Sequence, residues 1–558
     1  MRILGDGTYG NRLLAALATH ARGELRAGRR AAAGALLRLE IAEAQRVGDP
    51  LLIADAFKRR ARLHADENLD AAVRDLRDAR AWAARAADSG LRSRFEAECA
   101  LVEGVVDRSR DPQRSAARLT AAIDFARTTG DRRLLPEALL ECARTHRAAG
   151  RDDAAWNDLA AAIDEVDERQ ITAASGAGAM FDAAEALFDE AVDLLLARGE
   201  NDRAFVYAER ANARAILVAS EGRASLAGPI PATELAPDTV LVQFALLPRS
   251  VAAFALTRRG LRVTRQTIDR AALESDVRAL REMIESRRPV DSIRPLAARL
   301  HALLIAPLAL EGGTSSLVIA GGRVLQSVPW AALWDAERSA HLIERATITV
   351  APSVRVWHRH RARLAAMRDG EQLLLVTSDL RPQLDPLTDL RREIAAIEAV
   401  YPRRETLTDA EATPSRFLAA ARSDVVHYAG HARAGALLLG GDEDLAATDI
   451  AGARLTRTRL VVLAACNTLG DDAARLEGSP SLARAFLAAG VPTVVGTLWP
   501  VHDAHAASLF GALHERLRAG SSVAAALREA QLGMLRGRNA ELAHPVAWAA
   551  AEVLGAAQ

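Results

Sequence analysis

The spacing of apolar residues changes period along the chain, and the change predicts two kinds of architecture. From residue 1 to about 220 the apolar positions recur at helical spacing among alanine, arginine and glutamate, with little proline. In LLPEALLECARTHRAAGRDDAAWNDLAAAIDEV, Leu135, Leu139 and Cys142 share a face at i, i+4, i+7. Gly150 then marks a turn, and Ala154, Leu159 and Ile163 belong to a second helix. Turn-then-helix signals recur at Asp66, Asp111, Gly150 and Gly199, at gaps of about 40 to 50 residues. A helix pair repeated in this way buries its apolar face only by stacking on its neighbours.

The array is similar to tetratricopeptide repeats, with helices longer than a unit of about 34 residues supplies. DLLLARGENDRAFVYAERANARAIL is the best single repeat, and a plain helical bundle is the alternative. The stretch ASEGRASLAGPIPATELAP, 219–237, carries two prolines among small polar residues and predicts a linker. The expected division is a helical repeat domain at 1–220, a linker at 221–237 and an α/β domain at 238–558, itself split near 370.

After the linker the period shortens. Thr239 to Ile268 reads as a meander of short strands, and a strand follows at Leu317–Ala320 before Gly321-Gly322. From Gln372 strands and helices alternate. LLLVTS, DVVHYAGH, LVVLAAC and TVVGTLW read as buried strands, and DLRREIAAIEAVYP as a helix with Leu390, Ile394 and Ile397 on one face. SPSLARAFLAAG predicts a helix with Ser479 as N-cap, Pro480 at the first position and Gly490 as its stop. Two amphipathic helices follow, in DAHAASLFGALHERLRAG and SSVAAALREAQLGML. Continuous apolar strands alternating with helices predict a mostly parallel sheet covered on both faces.

In such sheets reactive groups gather at the carboxyl ends of strands. VVHYAGH and LVVLAAC end there in His431 and Cys466. Neighbouring strands lie about 5 Å apart, close enough to bring an imidazole to a thiol. A thiol of ordinary pKa is only about 3% thiolate at pH 7, so a nucleophilic cysteine needs such a base. Backbone N–H groups beside the sulfur would hold an oxyanion.

Composition narrows the classes. Lys+Arg and Asp+Glu are each 72, so the net charge is zero and gives no overall footprint for nucleic acid or anionic lipid. No window of about 18 apolar residues escapes a charge, and MRILGDGTYGNRLL lacks the apolar core of a signal peptide, so no membrane span is expected. Three scattered cysteines make no disulfide framework, which fits a reducing, cytoplasmic setting.

The segments DVVHYAGHA, RLVVLAACNT, EGSPSLARAFLAAGVPTVVGTLWPVHD and HPVAWAAAEVLG resemble the CHAT family, caspase-like and separase-like cysteine peptidases often fused to tetratricopeptide repeats. LVIAGGRVLQSVPWAALWD…ATITVAPSV resembles that family's upstream half, so the likeness runs from about Asp238 to Gly555. It implies a caspase-like domain with an upstream pseudo-half at 238–370 and an active half at 371–558. It also implies a cysteine endopeptidase of bacterial defence or programmed cell death, with a protein substrate, a regulatory protein on the helical array and no cofactor. His431 would be the catalytic histidine, Cys466 the nucleophile, and Gly430, Ala432 and Asn467 the oxyanion and supporting positions, with His427 a packing residue. Two positions depart from the family's pattern. Ala432 stands where glycine is common, and CNTLG carries an extra Leu469.

Other readings are weaker. His427 and His431 have the i, i+4 spacing of a zinc pair, but no glutamate follows the first and the segment reads as strand and loop, so no metal is expected. GSPSL lacks the nucleophile-elbow pattern, and no phosphate-binding GxxxxGK[ST] occurs. Asp503 reads as a helix N-cap, or with Trp499 as a wall of a substrate pocket. Glu477 and Asp471 would favour a basic substrate side chain, or simply form a solvated acidic loop. A catalytically silent scaffold remains the alternative to the peptidase.

Overall fold

A computed structural model describes residues 6–557 except 27, 66, 173–177, 222–231, 368–369, 380–386, 434, 441–443 and 471–480; residues 6–10, 26, 169–172, 178–183, 213–221 and 323 are described for their backbone alone. The chain forms two compact units, residues 1–174 with 179–194, and 175–178 with 195–558.

The first unit is helical throughout: α1 (Asp6–Arg26), α2 (Arg30–Val47), α3 (Pro50–His64), α4 (Leu69–Ala83), α5 (Ser89–Asp107), α6 (Pro112–Thr129), α7 (Leu134–Ala148), α8 (Asp152–Thr172) and the start of α9 (Gly178–Ala197). Successive helices pack as hairpins, α1 on α2, α3 on α4, α5 on α6 and α7 on α8. The chain's own punctuation sets their ends. Asp111 accepts from the amides of Gln113 and Arg114 ahead of Pro112, Asn68 caps α4, and Gly150 turns between α7 and α8 at φ 70°. Asp66 lies outside the described residues. Gly104 lets α5 touch α6, since a Cβ there would fall 2.5 Å from Leu119 Cγ.

Glu141 is the polar centre of this unit. It is 1% exposed and paired with Arg62, Arg108 and Arg144, which stand on or beside three successive hairpins. Burial raises its pKa, but the three guanidinium groups outweigh that and hold it at about 2.

In the second unit, the helix Asn201–Glu221 packs with the α/β domain through the helix Val354–Ala366. Buried Glu209 accepts from the amides of Val354 and Arg355 and so caps that helix. The strands are β1 (Thr239–Leu246), β2 (Ser250–Thr257), β3 (Gly260–Thr267), β4 (Ser316–Ala320), β5 (Trp334–Asp335), β6 (Ala340–His341), β7 (Thr347–Ala351), β8 (Leu373–Ser378), β9 (Arg404–Thr408), β10 (Val425–Gly430), β11 (Ala432–Arg433), β12 (Ala436–Leu438), β13 (Asp444–Ala446), β14 (Leu460–Ala464), β15 (Thr493–Thr497) and β16 (Ala551–Gly555). Eleven of them form one sheet in the order β3-β2-β1-β4-β7-β16-β15-β14-β10-β8-β9.

Seven of its ten pairings are parallel. The antiparallel exceptions are the meander β1–β2–β3 and the seam β15–β16. Two parallel blocks therefore meet at that seam. β8, β10 and β15 are buried along their whole length, as continuous apolar strands require. The sequence reading missed β16, which follows the short helix Pro545–Trp548. The helix expected to start at Ser479-Pro480 runs from Leu482 to Ala488 and is capped by Ser481, while Ser479 and Pro480 lie outside the described residues.

Replacing Glu141 with Gln leaves three arginines around a neutral amide. Urea denaturation should then show a loss of about 3 to 5 kcal/mol. The carboxylate's contribution is present above its unfolded pKa near 4.5 and fades as pH falls toward about 2. The acid unfolding of the wild-type helical unit should therefore steepen across that window, and the Glu141→Gln variant should lack that component.

Candidate active site

The site sits at the carboxyl ends of three adjacent parallel strands. In the register of β10 with β14, Ala429 lies opposite Ala464. His431 lies one residue beyond β10 and Cys466 two beyond β14, so both follow the same end of the paired strands. On the other side Gly430 lies opposite Ser378 of β8, so the next residue there is Asp379. The His431 Nε2 atom is 3.5 Å from Asp379 Oδ1. The sequence reading missed Asp379, although it occupies the same place, one residue past a buried strand, as His431.

His431 and Cys466 line one cleft, whose walls include Leu387, Leu390, Glu393, Asp503 and Phe510. The sulfur is partly buried. Burial pushes its thiol pKa up, the Asp503 carboxylate adds to the rise, and a hydrogen bond from the Val501 amide opposes both.

The loop after Cys466 is stitched to β15. Thr468 Oγ1 accepts from the Thr497 amide at 2.8 Å, Thr497 Oγ1 donates to the Ala465 carbonyl, and the Leu469 amide donates to the Thr497 carbonyl at 3.0 Å. Asn467 carries the turn at φ 53°, a conformation asparagine tolerates better than most residues. Leu469, the extra residue of CNTLG, is buried over Gly496, where a Cβ would meet Leu469 Cγ at 3.0 Å. The insertion is thus absorbed as a core side chain.

The histidine loop is held by Tyr428. Its hydroxyl donates to the His431 carbonyl at 2.7 Å and lies 2.8 Å from that of Leu438. Gly430 must be glycine for this clamp to close, because a Cβ would sit 2.7 Å from the Tyr428 hydroxyl and 3.0 Å from the Ser378 carbonyl. Ala432 opens the short strand β11, an extended conformation that makes no demand for glycine.

The remaining predicted positions separate. Asp503 lines the cleft, but the cap of its helix, Asp503–Arg518, is His502, whose ring accepts from the Ala504 amide. Trp499 is enclosed in the core with its indole N–H on the Val546 carbonyl at 3.0 Å, and is not among the residues that line the cleft. Glu477 and Asp471 lie outside the described residues. His427 is fully buried, 3.0 Å from Glu393 and 3.0 Å from His514. In the helical unit Cys142, His146 and Asp158 converge. There Arg151 Nε donates to His146 Nδ1, which puts the ring's own proton on Nε2, facing Asp158 rather than a metal.

Residues 294–556 match the CHAT domain family. That match spans just under half of the chain. The match begins within the helix Val290–Leu304, while the sheet already starts at Thr239. Among solved structures, two crystal structures of the Saccharomyces cerevisiae separase–securin complex align over 93% of this chain and 54% of the solved chain. Their identities are 10% and 11%, with TM-scores of 0.48 and 0.42. The chain thus spans about half the length of the solved chains it matches. No curated protein matches it by sequence.

Gly430→Ala should displace Tyr428 and release the His431 loop. Chemical denaturation should register a loss of about 1 to 3 kcal/mol. Hydrogen exchange of the Leu438 amide, bonded to the His431 carbonyl at 3.0 Å, should quicken in the same variant.

Proposed function

We propose that this CHAT protein is a cysteine endopeptidase in which His431 and Cys466 form the catalytic dyad. One observation carries the reading: the two residues follow the same end of adjacent parallel strands and line the same cleft. In this mechanism the imidazole of His431 takes the thiol proton as Cys466 attacks a peptide carbonyl. The carbonyl π electrons move to oxygen, and backbone N–H groups around Ala432 and Asn467, beside Gly430, receive the oxyanion. Collapse of the adduct expels the amine, which leaves with the proton from His431, and water then releases the acyl group. Asp379 orients the imidazole and stabilises its charged form. Asp503 is the described acid that would greet a basic substrate side chain.

The resting thiol, pushed up by burial and by Asp503, favours an enzyme that waits for activation. A protein bound to the helical repeat unit would supply that signal by shifting the population toward a competent cleft. The setting we propose is bacterial defence or programmed cell death. The same rise in the thiol pKa also suits the second reading, a catalytically silent scaffold for protein assembly.

An electrophilic peptide probe separates the two. It should label Cys466 and spare Cys99 and Cys142, whose buried thiols are pushed up to about 12. Labelling should fall about a hundredfold in His431→Ala, and about tenfold in Asp379→Asn. Cleavage of a candidate protein substrate that persists in Cys466→Ala would refute the dyad, and failure of the probe to label Cys466 in the presence of a bound partner would favour the scaffold.

A further inference from the structure

Behind the cleft wall runs a row of buried polar side chains that the dyad does not use. Glu393, from the helix Leu390–Val400, lines the cleft, and its Oε1 is 3.0 Å from His427 Nε2 on β10. His427 Nδ1 is 3.0 Å from His514 Nε2 on the helix Asp503–Arg518. His514 Nδ1 is 3.1 Å from the Tyr401 hydroxyl. All four side chains are buried, at 4%, 0%, 0% and 2% exposure. Arg518 covers the Tyr401 ring at 5.4 Å and pairs with Glu371 at 2.9 Å.

Three hydrogen bonds in series allow two orders of donation. In one, the Glu393 carboxyl donates to His427, His427 Nδ1–H to His514, and His514 Nδ1–H to the Tyr401 oxygen. In the other, Tyr401 O–H donates to His514, His514 Nε2–H to His427, and His427 Nε2–H to the Glu393 carboxylate. Every link is made in both orders, and both imidazoles stay neutral. The second order has one proton fewer, the one lost from Glu393. A buried carboxyl elsewhere would lose a partner when it changed charge. This one exchanges a donor role for an acceptor role.

We propose that Glu393 is the proton-holding residue of the cleft, and that His427, His514 and Tyr401 form a relay behind it that reverses direction when the proton leaves. This deepens the peptidase reading and rests on it for its purpose: a neutral Glu393 spares the thiolate of Cys466 a second negative neighbour beside Asp503. Burial supports the assignment. It pushes Glu393 up to about 8, with Asp503 adding to the rise, and His427 down to about 3. His514 is lowered by burial and by His427. The groups facing this carboxyl are His427 and His514 behind it, Asp503 on the neighbouring helix, and Cys466 with the His431–Asp379 pair around the same cleft.

The test reads the sulfur itself, without substrate. Site-resolved alkylation by iodoacetamide should proceed at the same rate in wild type and Glu393→Gln at pH 6.5, where Glu393 is neutral. At pH 9 the variant's Cys466 should react about threefold faster or more, because wild-type Glu393 is then charged. A variant-to-wild-type ratio equal at both pH values would overturn the proposal, since loss of packing alone would shift both rates together. Should Glu393→Gln fail to fold, nitrogen-15 spectra of the wild-type histidines decide. Two neutral imidazoles should exchange tautomer together between pH 6.5 and 9.5, and tautomers fixed across that range would overturn the relay. Neither readout uses peptide cleavage, so failure here leaves the dyad standing, and failure of the dyad is read separately from Cys466→Ala.

Discussion

The parallel pairing of Val425–Ala429 with Leu460–Ala464 is the constraint on which the rest depends. A slip of one residue would turn the side chains of one strand to the opposite face of the sheet. His431 and Cys466 share a cleft because that register is held. Three other contacts hold it in turn: Tyr428 on the His431 carbonyl, Thr497 on the Ala465 carbonyl, and Leu469 seated over Gly496. None of these residues does chemistry, yet each fixes the backbone within a few residues of one that would.

Much of this architecture was legible in the sequence, and for a plain reason. Strands such as LLLVTS and DVVHYAGH are buried on both faces, so their residues are mostly apolar along the whole length, with His427 the buried polar exception in the second. The helical unit was legible because Asp111 and Gly150 punctuate it between helices. Less visible was what depends on two distant segments meeting. Asp379 announces itself only once β8 is known to lie beside β10. β16 escaped because AEVLG is short and follows directly on a helical turn. Trp499 was expected at a pocket wall only through the family resemblance, and its fully buried indole belongs to the core.

Charge is handled in opposite ways by the two units. In the helical unit Glu141 is kept ionised by surrounding it with arginines, and its pairing ties successive hairpins together. In the α/β unit burial wins at Glu393 and, against the opposing charge of Arg281, at Glu552, and both are pushed up to about 8. The first arrangement fixes a structure against slippage. The second favours neutral carboxyls below about pH 8, where a modest change in surroundings alters their state.

The seam between β15 and β16 has a consequence for how the molecule comes into being. β16 lies in the middle of the sheet, hydrogen-bonded to β7 on one side and β15 on the other, yet it is the last of the eleven strands to be made. A ribosome therefore releases two blocks of parallel strands with an open edge on each before the segment that joins them exists. The unfinished edges are where a chaperone would have most to guard.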